Sequence, residues 1–295
     1  LVAAGMHIDR MPAVRGRLRS CVRLRDLTWL RVGGPAEVMF RPADMDDLAQ
    51  LCGGLPENVP VTAVGVGSNL LVRDGGVPGV VVRLGGPFAR VAGEGDDLVV
   101  GAGALDAKVS LAAAERGLSG LEFLSGVPGT IGGALRMNAG AYGREMRDIV
   151  VSAEAMDRAG EVHTLNCEEL GFGYRSSRVP ESWIFVGATL RGEPGKKAEI
   201  TSRMAEIRKT RETSQPVRAR TGGSTFKNVG PRKAWKLVRD AGGAGLSRGA
   251  AQVSEQHANF LINTGNATAA DLEGLALEVA EKVHASSGVR LEWEI

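Results

Sequence analysis

Two glycine-rich segments carry the residue types that could cradle an anionic ligand. Residues 65–70 (GVGSNL) follow an apolar run, and their glycines let successive backbone N–H groups point into one concavity, with a serine hydroxyl as a further donor. A tight turn explains this short segment equally well. Residues 126–133 (GVPGTIGG) are more specific, because a proline stiffens the segment while four glycines keep side chains away from a bound group. Close packing on a sheet is the alternative interpretation.

Residues 138–141 (NAGA) are again small and polar, so a flat aromatic ring system with a diphosphate would suit this surface. A Rossmann fingerprint is not predicted, since the segment after Gly65 and Gly67 lacks the third glycine and has Leu70 there. A dinucleotide bound here would therefore need another fold.

Three reactive side chains stand in short polar contexts far apart in the sequence. Arg175 follows Tyr174, and its planar fork suits a carboxylate, although an ordinary surface arginine is the simpler interpretation. Ser224 follows two glycines without the Gly-x-Ser-x-Gly pattern of hydrolases, which leaves open a hydroxyl that gives a proton. Glu294 lies in an alternating terminal segment, where a solvated carboxylate is the alternative.

The composition limits the classes of partner. Lys plus Arg number 36 and Asp plus Glu 34, so neither nucleic acid nor a membrane surface is expected. No run of 18 apolar residues predicts a membrane helix, and residues 1–5 do not resemble a secretory signal. The four histidines and three cysteines have no metal-site spacing, so no metal is predicted. Cys21, Cys52 and Cys167 are interpreted as small buried hydrophobes of a cytoplasmic protein.

The elements that must position these residues mix strands and helices without regular alternation, which predicts an α+β fold. Predicted strands cover residues 36–41, 61–65, 79–84, 98–102, 149–156, 161–165, 183–190, 224–227, 259–263 and 289–295. Predicted helices cover residues 45–52, 106–116, 196–210, about 233–241, and a final segment between a capping-box-like Thr268 and Gly288. A Gly/Thr/Arg-rich break at residues 216–223 predicts a domain boundary.

Ten short motifs resemble, in order, those of the UDP-N-acetylenolpyruvoylglucosamine reductase family, and they span nearly the whole chain. The motifs begin at Thr28 (TxLRVGGPA), Gly65 (GxGSNL), Gly120 (GLEF), Gly126 (GVPG), Met137 (MNAGAY), Tyr174 (YRSS), Gly222 (GGSTFKN), Ala251 (AQVS), His257 (HANF) and Leu291 (LEWE).

The resemblance implies a two-subdomain FAD-binding fold of the vanillyl-alcohol-oxidase type, followed by a smaller α+β substrate-binding domain. The corresponding division is residues 1–84 and 85–212 for the FAD subdomains, 213–288 for the substrate domain, and 289–295 for a strand returning to the active site. It also implies noncovalent FAD, NADPH as hydride donor and UDP-N-acetylmuramate as product. We expect the protein to be a monomer. The absence of a tyrosine-bearing insertion is typical of the shorter subclass.

The family's functional residues carry over by motif. Ser224 matches the serine that protonates the intermediate, and Arg175 and Glu294 match the pair that stabilises it. The residues implied to bind FAD are Gly65, Gly67, Ser68, Asn69, Leu70, Gly126, Pro128, Gly129, Thr130, Gly132, Gly133, Asn138 and Gly140. Those implied to bind substrate are Tyr174, Arg211, Lys227, Asn228 and Gln252.

The chain departs from the family pattern at a position near the substrate diphosphate. Ser214 stands where relatives often carry a lysine, so Arg208, Lys209 or Arg211 are the candidates to replace that lysine.

Two other classes of function stay open. Another FAD enzyme of the same superfamily, such as a hydroxy-acid oxidase, would not need Ser224, Arg175 and Glu294 together. A non-enzymatic flavin- or nucleotide-binding module would bind flavin without oxidising NADPH.

Overall fold

The computed structural model describes residues 11–295, so residues 1–5 and His7 lie outside the described part. The described chain is α+β, as predicted. Its helices are α1 (Met45–Gly54), α2 (Asp106–Glu115), α3 (Ile131–Met137), α4 (Cys167–Leu170), α5 (Lys197–Ser214), α6 (Ala234–Asp240) and α7 (Ala269–Ser287). Its strands are β1 (Arg17–Arg23), β2 (Pro35–Arg41), β3 (Val61–Val64), β4 (Val77–Arg83), β5 (Val91–Glu94), β6 (Asp97–Gly101), β7 (Leu118–Ser119), β8 (Gly140–Ala141), β9 (Arg144–Glu145), β10 (Val150–Met156), β11 (Val162–Asn166), β12 (Ile184–Arg191), β13 (Glu193–Pro194), β14 (Thr221–Ser224), β15 (Ser247–Arg248), β16 (Ala251–Val253) and β17 (Phe260–Asn263).

The chain divides into two compact units, each built from separate stretches of sequence. Unit 1 contains residues 11–22, Ala36–Gly65 and Pro78–Lys209, and unit 2 contains Arg23–Pro35, Val66–Val77 and Thr210–Ile295. The functional division into residues 1–84, 85–212, 213–288 and 289–295 stays a prediction.

The first sheet of unit 1 has the strand order β1-β2-β4-β3, with β3 and β4 parallel. The predicted helix over residues 45–52 is confirmed as α1, and Asp44 caps it by accepting a hydrogen bond from the Asp47 backbone N–H. Leu48 and Leu51 of α1 pack with Phe40 of β2 in one buried cluster. Strand β1 was not predicted, and its exposed arginines hide the apolar alternation that marks a strand.

The second sheet of unit 1 has the order β11-β10-β12-β6-β5. The predicted hairpin is confirmed, since β10 and β11 pair antiparallel across the turn at residues 157–160. Helix α2 packs the face that carries Val109 and Ala113 into the core of this sheet. Helix α5 confirms the predicted helix and buries Ile200 and Met204, although it runs on to Ser214.

Unit 2 is organised around a sheet of order β14-β17-β16-β15, covered by α7. The capping box of α7 is confirmed, because the Thr268 side chain accepts from Asp271 N–H and the Asp271 side chain accepts from Thr268 N–H. The predicted apolar face is buried, and Gly288 ends the helix in the left-handed conformation. The predicted strand over residues 289–295 is wrong in extent, since only an isolated bridge between Trp293 and Phe226 forms there.

The three cysteines are free thiols, but only Cys52 is a buried hydrophobe as predicted. Burial raises the pKa of the Cys52 thiol to about 11, so it stays protonated near neutral pH. Cys21 is exposed and Cys167 half-buried, which corrects the interpretation of both as core residues. Among the described residues, no helix has the length and apolar character needed to span a bilayer.

Candidate active site

Backbone pairing in unit 1 fixes the second half of the glycine-rich segment 126–133. The Asp106 N–H donates to Gly129 O at 3.2 Å, and Leu105 and Thr130 form an antiparallel bridge. The pairing continues as Ile131 N–H donates to Ala104 O and Gly132 N–H to Ala102 O, at 3.0 and 2.8 Å. Residues 102–106 therefore run alongside residues 129–132, and these hydrogen bonds hold the backbone of residues 129–132 in one conformation.

Helix α3 begins inside this segment and was not predicted. Thr130 is its N-cap, and Gly132 and Gly133 lie in its first turn. Gly133 is exposed, whereas Thr130 is buried, with the Gly65 backbone packed close to its hydroxyl. The structure thus brings Gly65, Thr130 and Gly132 together within unit 1.

Arg175 lies in a tight turn in which Gly173 and Ser176 pair as a bridge. Its backbone is left-handed, with φ at +54°, which is uncommon for a residue with a side chain and marks a conformation imposed by its surroundings. The guanidinium donates to Gly140 O at 2.9 Å and lies over the exposed Tyr174 ring, 5.3 Å from its centroid. Its direction is therefore set by a carbonyl acceptor and an aromatic face.

Asn138 supports the Arg175 turn from behind. It ends α3 with φ at +40° and is completely buried. Its side-chain amide donates to Gly173 O at 3.0 Å, and its Oδ1 accepts from Arg147 N–H at 3.0 Å. Asn138 thus holds the Arg175 turn through its side chain, and its contact with the cofactor stays a prediction.

Tyr142 lies against the same glycine-rich segment, although it was not among the predicted site residues. Its ring lies so close to Gly126 that a Cβ there would come within 2.6 Å of the ring edge. Its hydroxyl donates to Ile207 O of α5 at 3.2 Å, and its backbone is left-handed, with φ at +55°. The sequence signal was present, because Tyr142 ends the MNAGAY motif that begins at Met137.

Ser224 ends strand β14 in unit 2 and pairs with Phe260 of β17. The buried Asn259 fixes the backbone beyond it: Thr225 N–H donates to Asn259 O at 2.7 Å, and the Asn259 side chain bonds both the N–H and the carbonyl of Phe226. Asn259 was missed as a site residue, although it lies in the HANF motif. Ser224 is thus carried on rigid backbone and remains partly exposed.

The backbone of Glu294 lies beside this strand end. Glu294 N–H donates to Thr225 O at 2.9 Å, and Lys227 N–H donates to Glu292 O at 2.9 Å. The Asn69 side-chain amide also donates to Glu294 O, at 3.1 Å. Unit 2 therefore gathers three distant stretches of chain, around Asn69, Thr225 and Glu294.

The other predicted residues of unit 2 occupy separate positions. Asn228 Oδ1 accepts from Ala234 N–H at 3.0 Å and so holds the start of α6. Gln252 is half-buried in β16, opposite Ile262. Arg211 lies on α5, where its Nε donates to Gln215 Oε1 at 3.2 Å. Ser214 donates its hydroxyl to Thr210 O in the last turn of the same helix.

The predicted site residues fall into two groups, one in each unit. The group in unit 1 is Gly65, Gly126, Pro128, Gly129, Thr130, Gly132, Gly133, Asn138, Gly140, Tyr174 and Arg175. The group in unit 2 is Gly67, Ser68, Asn69, Leu70, Arg211, Ser224, Lys227, Asn228, Gln252 and Glu294.

The glycine-rich segments suit a dinucleotide cofactor with a diphosphate. Gly67 has φ at +69°, a left-handed conformation of the kind that lets neighbouring N–H groups converge on an anion. Neither residues 65–70 nor residues 126–133 contain an aspartate or glutamate that would repel one. The residues present therefore fit an FAD-type ligand.

Comparison with known proteins identifies the class and the family. Residues 36–166 match the FAD binding domain model, and residues 215–295 match the model for the C-terminal domain of UDP-N-acetylenolpyruvoylglucosamine reductase. The chain is 61% identical over 287 residues to the UDP-N-acetylenolpyruvoylglucosamine reductase of Paramagnetospirillum magneticum, covering 97% of this chain and 94% of the relative. It is 59% identical to that of Rhodospirillum rubrum, covering 98% and 92%. A crystal structure of the Thermus caldophilus reductase matches with a TM-score of 0.81 and 38% identity, over 95% of this chain and 98% of that one.

These matches define a flavoprotein with an FAD-binding domain followed by a second, distinct domain. The chain belongs to the UDP-N-acetylenolpyruvoylglucosamine reductase family.

Proposed function

We propose that this chain reduces UDP-N-acetylglucosamine enolpyruvate to UDP-N-acetylmuramate, a step of peptidoglycan precursor synthesis, with FAD as cofactor and NADPH as hydride donor. The observation that carries the proposal is the 61% identity to a reductase of this name over 97% of the chain. When bound, FAD supplies the hydride that NADPH has given to it and that the enolpyruvyl C3 receives. The segments at residues 65–70 and 126–133 hold FAD through their backbone.

Arg175 is proposed to offset the charge that develops on the substrate carboxylate as C3 gains hydride. Its anchoring supports this role, because the bond to Gly140 O and the Tyr174 ring restrict the directions that the guanidinium can take. A charged donor already fixed in place needs no reorganisation during the reaction, and one such interaction can be worth about 3 kcal/mol.

Ser224 is proposed to give the proton that C2 requires. A serine hydroxyl is a weak acid, but the enolate it would serve is a strong base, so the transfer needs position more than acidity. The hydrogen bonds between the Asn259 side chain and the Phe226 backbone fix the chain just after Ser224 and so supply such a position. Glu294 is proposed to act with Arg175 in stabilising the intermediate, on a backbone anchored by Thr225 and Asn69.

Substrate binding is proposed for Tyr174, Arg211, Lys227, Asn228 and Gln252. Arg211 is our candidate for the role of the lysine replaced by Ser214, because it lies one helical turn before that end of α5. We also propose that the protein acts on small molecules as a monomer in the cytoplasm. The free cysteines are consistent with the cytoplasmic compartment.

The test uses the purified full chain. A flavin absorption band and NADPH oxidation that depends on UDP-N-acetylglucosamine enolpyruvate are expected, with UDP-N-acetylmuramate as the product by mass. Oxidation of NADPH at the same rate without the enolpyruvyl substrate would favour another flavin oxidoreductase. Bound flavin without any NADPH oxidation would favour a carrier module.

A further inference from the structure

Asp106 is a buried acid to which the proposed mechanism gives no role. It is the first residue of α2, its exposed fraction is 0%, and neither carboxyl oxygen has a hydrogen-bond partner in the described part of the chain. A carboxylate there would lose its hydration without gaining a donor, whereas a protonated carboxyl group would carry only the much smaller cost of an unpaired neutral polar group. The geometry therefore favours an uncharged side chain.

The surrounding charges leave this conclusion unchanged. Burial alone raises the pKa of Asp106 well above its usual value. The positive end of the α2 dipole favours an anion, but that effect is weak beside complete burial. On α2 itself, Lys108 and Glu115 are exposed, and β7, which packs on α2, has no charged side chain. On the other packed elements, Glu122 Oε1 lies 3.6 Å from the Arg203 guanidinium of α5, so those two charges face each other.

Asp106 is also joined through its backbone to the segment proposed to bind FAD. Its own N–H donates to Gly129 O at 3.2 Å. Its side chain shares the buried face of α2 with Val109 and Ala113, and that face packs against the 3-10 turn at Glu122–Gly126. A displacement of Asp106 would therefore be transmitted to Gly129 through one hydrogen bond.

We propose that Asp106, as an uncharged acid, is a positioning residue for the FAD-binding segment at residues 126–133. The neutral side chain stays on the buried face of α2. An ionised side chain would turn toward water, and its movement would displace the Gly129 backbone through the hydrogen bond from Asp106 N–H. FAD binding then selects the protonated form, so proton and cofactor binding are coupled. The inference rests on the proposed function in one respect, namely that this segment binds FAD.

The coupling is tested on the full-length apoprotein by titrating FAD, with flavin fluorescence as the readout, over about pH 5 to 9. The wild-type dissociation constant is expected to rise about tenfold or more toward the alkaline end, a coupling of the usual size. Asp106→Asn should match the wild type at the acid end and vary less than about twofold over the range, because Asn carries no charge. Asp46→Asn is the matched control, an exposed aspartate in the first turn of α1, and should follow the wild type.

A second measurement needs no variant. In apoprotein labelled with ¹³C at the aspartate carboxyl groups, one signal should keep the shift of a protonated acid at about pH 7, where ordinary aspartates are ionised. Titration of every aspartate in the ordinary acid range would overturn the inference.

The outcomes separate the two claims. Wild-type protein that binds no FAD at any pH contradicts the proposed function. Protein that binds FAD with the same pH dependence in the wild type and in Asp106→Asn contradicts this inference alone.

Discussion

The side-chain amide of Asn69 donates a hydrogen bond to the backbone carbonyl of Glu294, with 3.1 Å between the two atoms. This bond joins a glycine-rich segment to the last residues of the chain within unit 2, across 225 positions of sequence. Because Glu294 N–H is also bonded to Thr225 O, both polar groups of the Glu294 backbone are held. The backbone that carries the Glu294 carboxylate, which is proposed to act in catalysis, is thus held in place.

Asn69→Ala should lower both stability and turnover. The lost bond is worth about 1 kcal/mol of the free energy of unfolding, measured by urea denaturation. Turnover should fall by a larger factor than the added fraction of unfolded protein accounts for, because the Glu294 backbone loses a hydrogen bond that holds it. Asn266→Ala, at an exposed asparagine of the same unit, is the control and should leave both values near wild type. Unchanged turnover in Asn69→Ala would separate this bond from catalysis.

Gly67→Ala should destabilise the protein and weaken FAD binding. Gly67 has φ at +69°, and a Cβ there would lie 2.9 Å from the Leu27 side chain and 3.0 Å from the Thr28 backbone. The expected loss is roughly 1–3 kcal/mol in the free energy of unfolding. Gly75→Ala is a matched control, because nothing lies within 4 Å of a Cβ at that exposed glycine. Equal effects of the two substitutions on FAD affinity would contradict the role given to residues 65–70.

Arg175→Lys should reduce kcat by roughly 10²–10³-fold, although the charge is retained. Lysine lacks the planar fork that bonds Gly140 O and lies over Tyr174, so its ammonium has no fixed direction. The flavin spectrum of the purified variant should stay normal. The exposed Arg90 provides the control substitution Arg90→Lys, expected to be neutral. A kcat for Arg175→Lys within twofold of wild type would show that only charge matters at this position.

Ser224→Ala should retain FAD and its reduction by NADPH but lose turnover by about 10²–10⁴-fold. The two half-reactions are measured separately, the first by bleaching of the flavin band under anaerobic conditions. Ser247→Ala, at an exposed serine of the same sheet, should behave as wild type in both. Near-normal turnover in Ser224→Ala would remove the proton-donor role from this hydroxyl.

The sequence predicted those elements whose local signals agree with their tertiary environment. In α7, the capping pair Thr268 and Asp271, the apolar face from Leu272 to Val283 and the terminal Gly288 indicate the same helix, and that helix forms. Helix α3 was missed because Gly132 and Gly133 are poor helix formers. Its first turn is held by backbone bonds to Ala102 and Ala104, which no local pattern reveals.

The motifs named candidate site residues, but they did not predict the backbone conformations of those residues. The left-handed backbone of Arg175 could not be expected, because residues with side chains rarely adopt it. An aspartate at a helix start is normally an exposed residue that interacts with the helix dipole, and no local pattern indicates that Asp106 is buried. The alternating apolar residues at positions 289–293 predicted a terminal strand, yet only the Trp293 bridge forms.

The most direct test of the proposed reaction is a single-turnover experiment on the purified full chain. The bound flavin is first reduced with NADPH under anaerobic conditions and then mixed with UDP-N-acetylglucosamine enolpyruvate in a stopped-flow spectrophotometer. The absorption of oxidised flavin should return, with one UDP-N-acetylmuramate formed per flavin. Flavin that remains reduced in the presence of this substrate would contradict the proposed reaction.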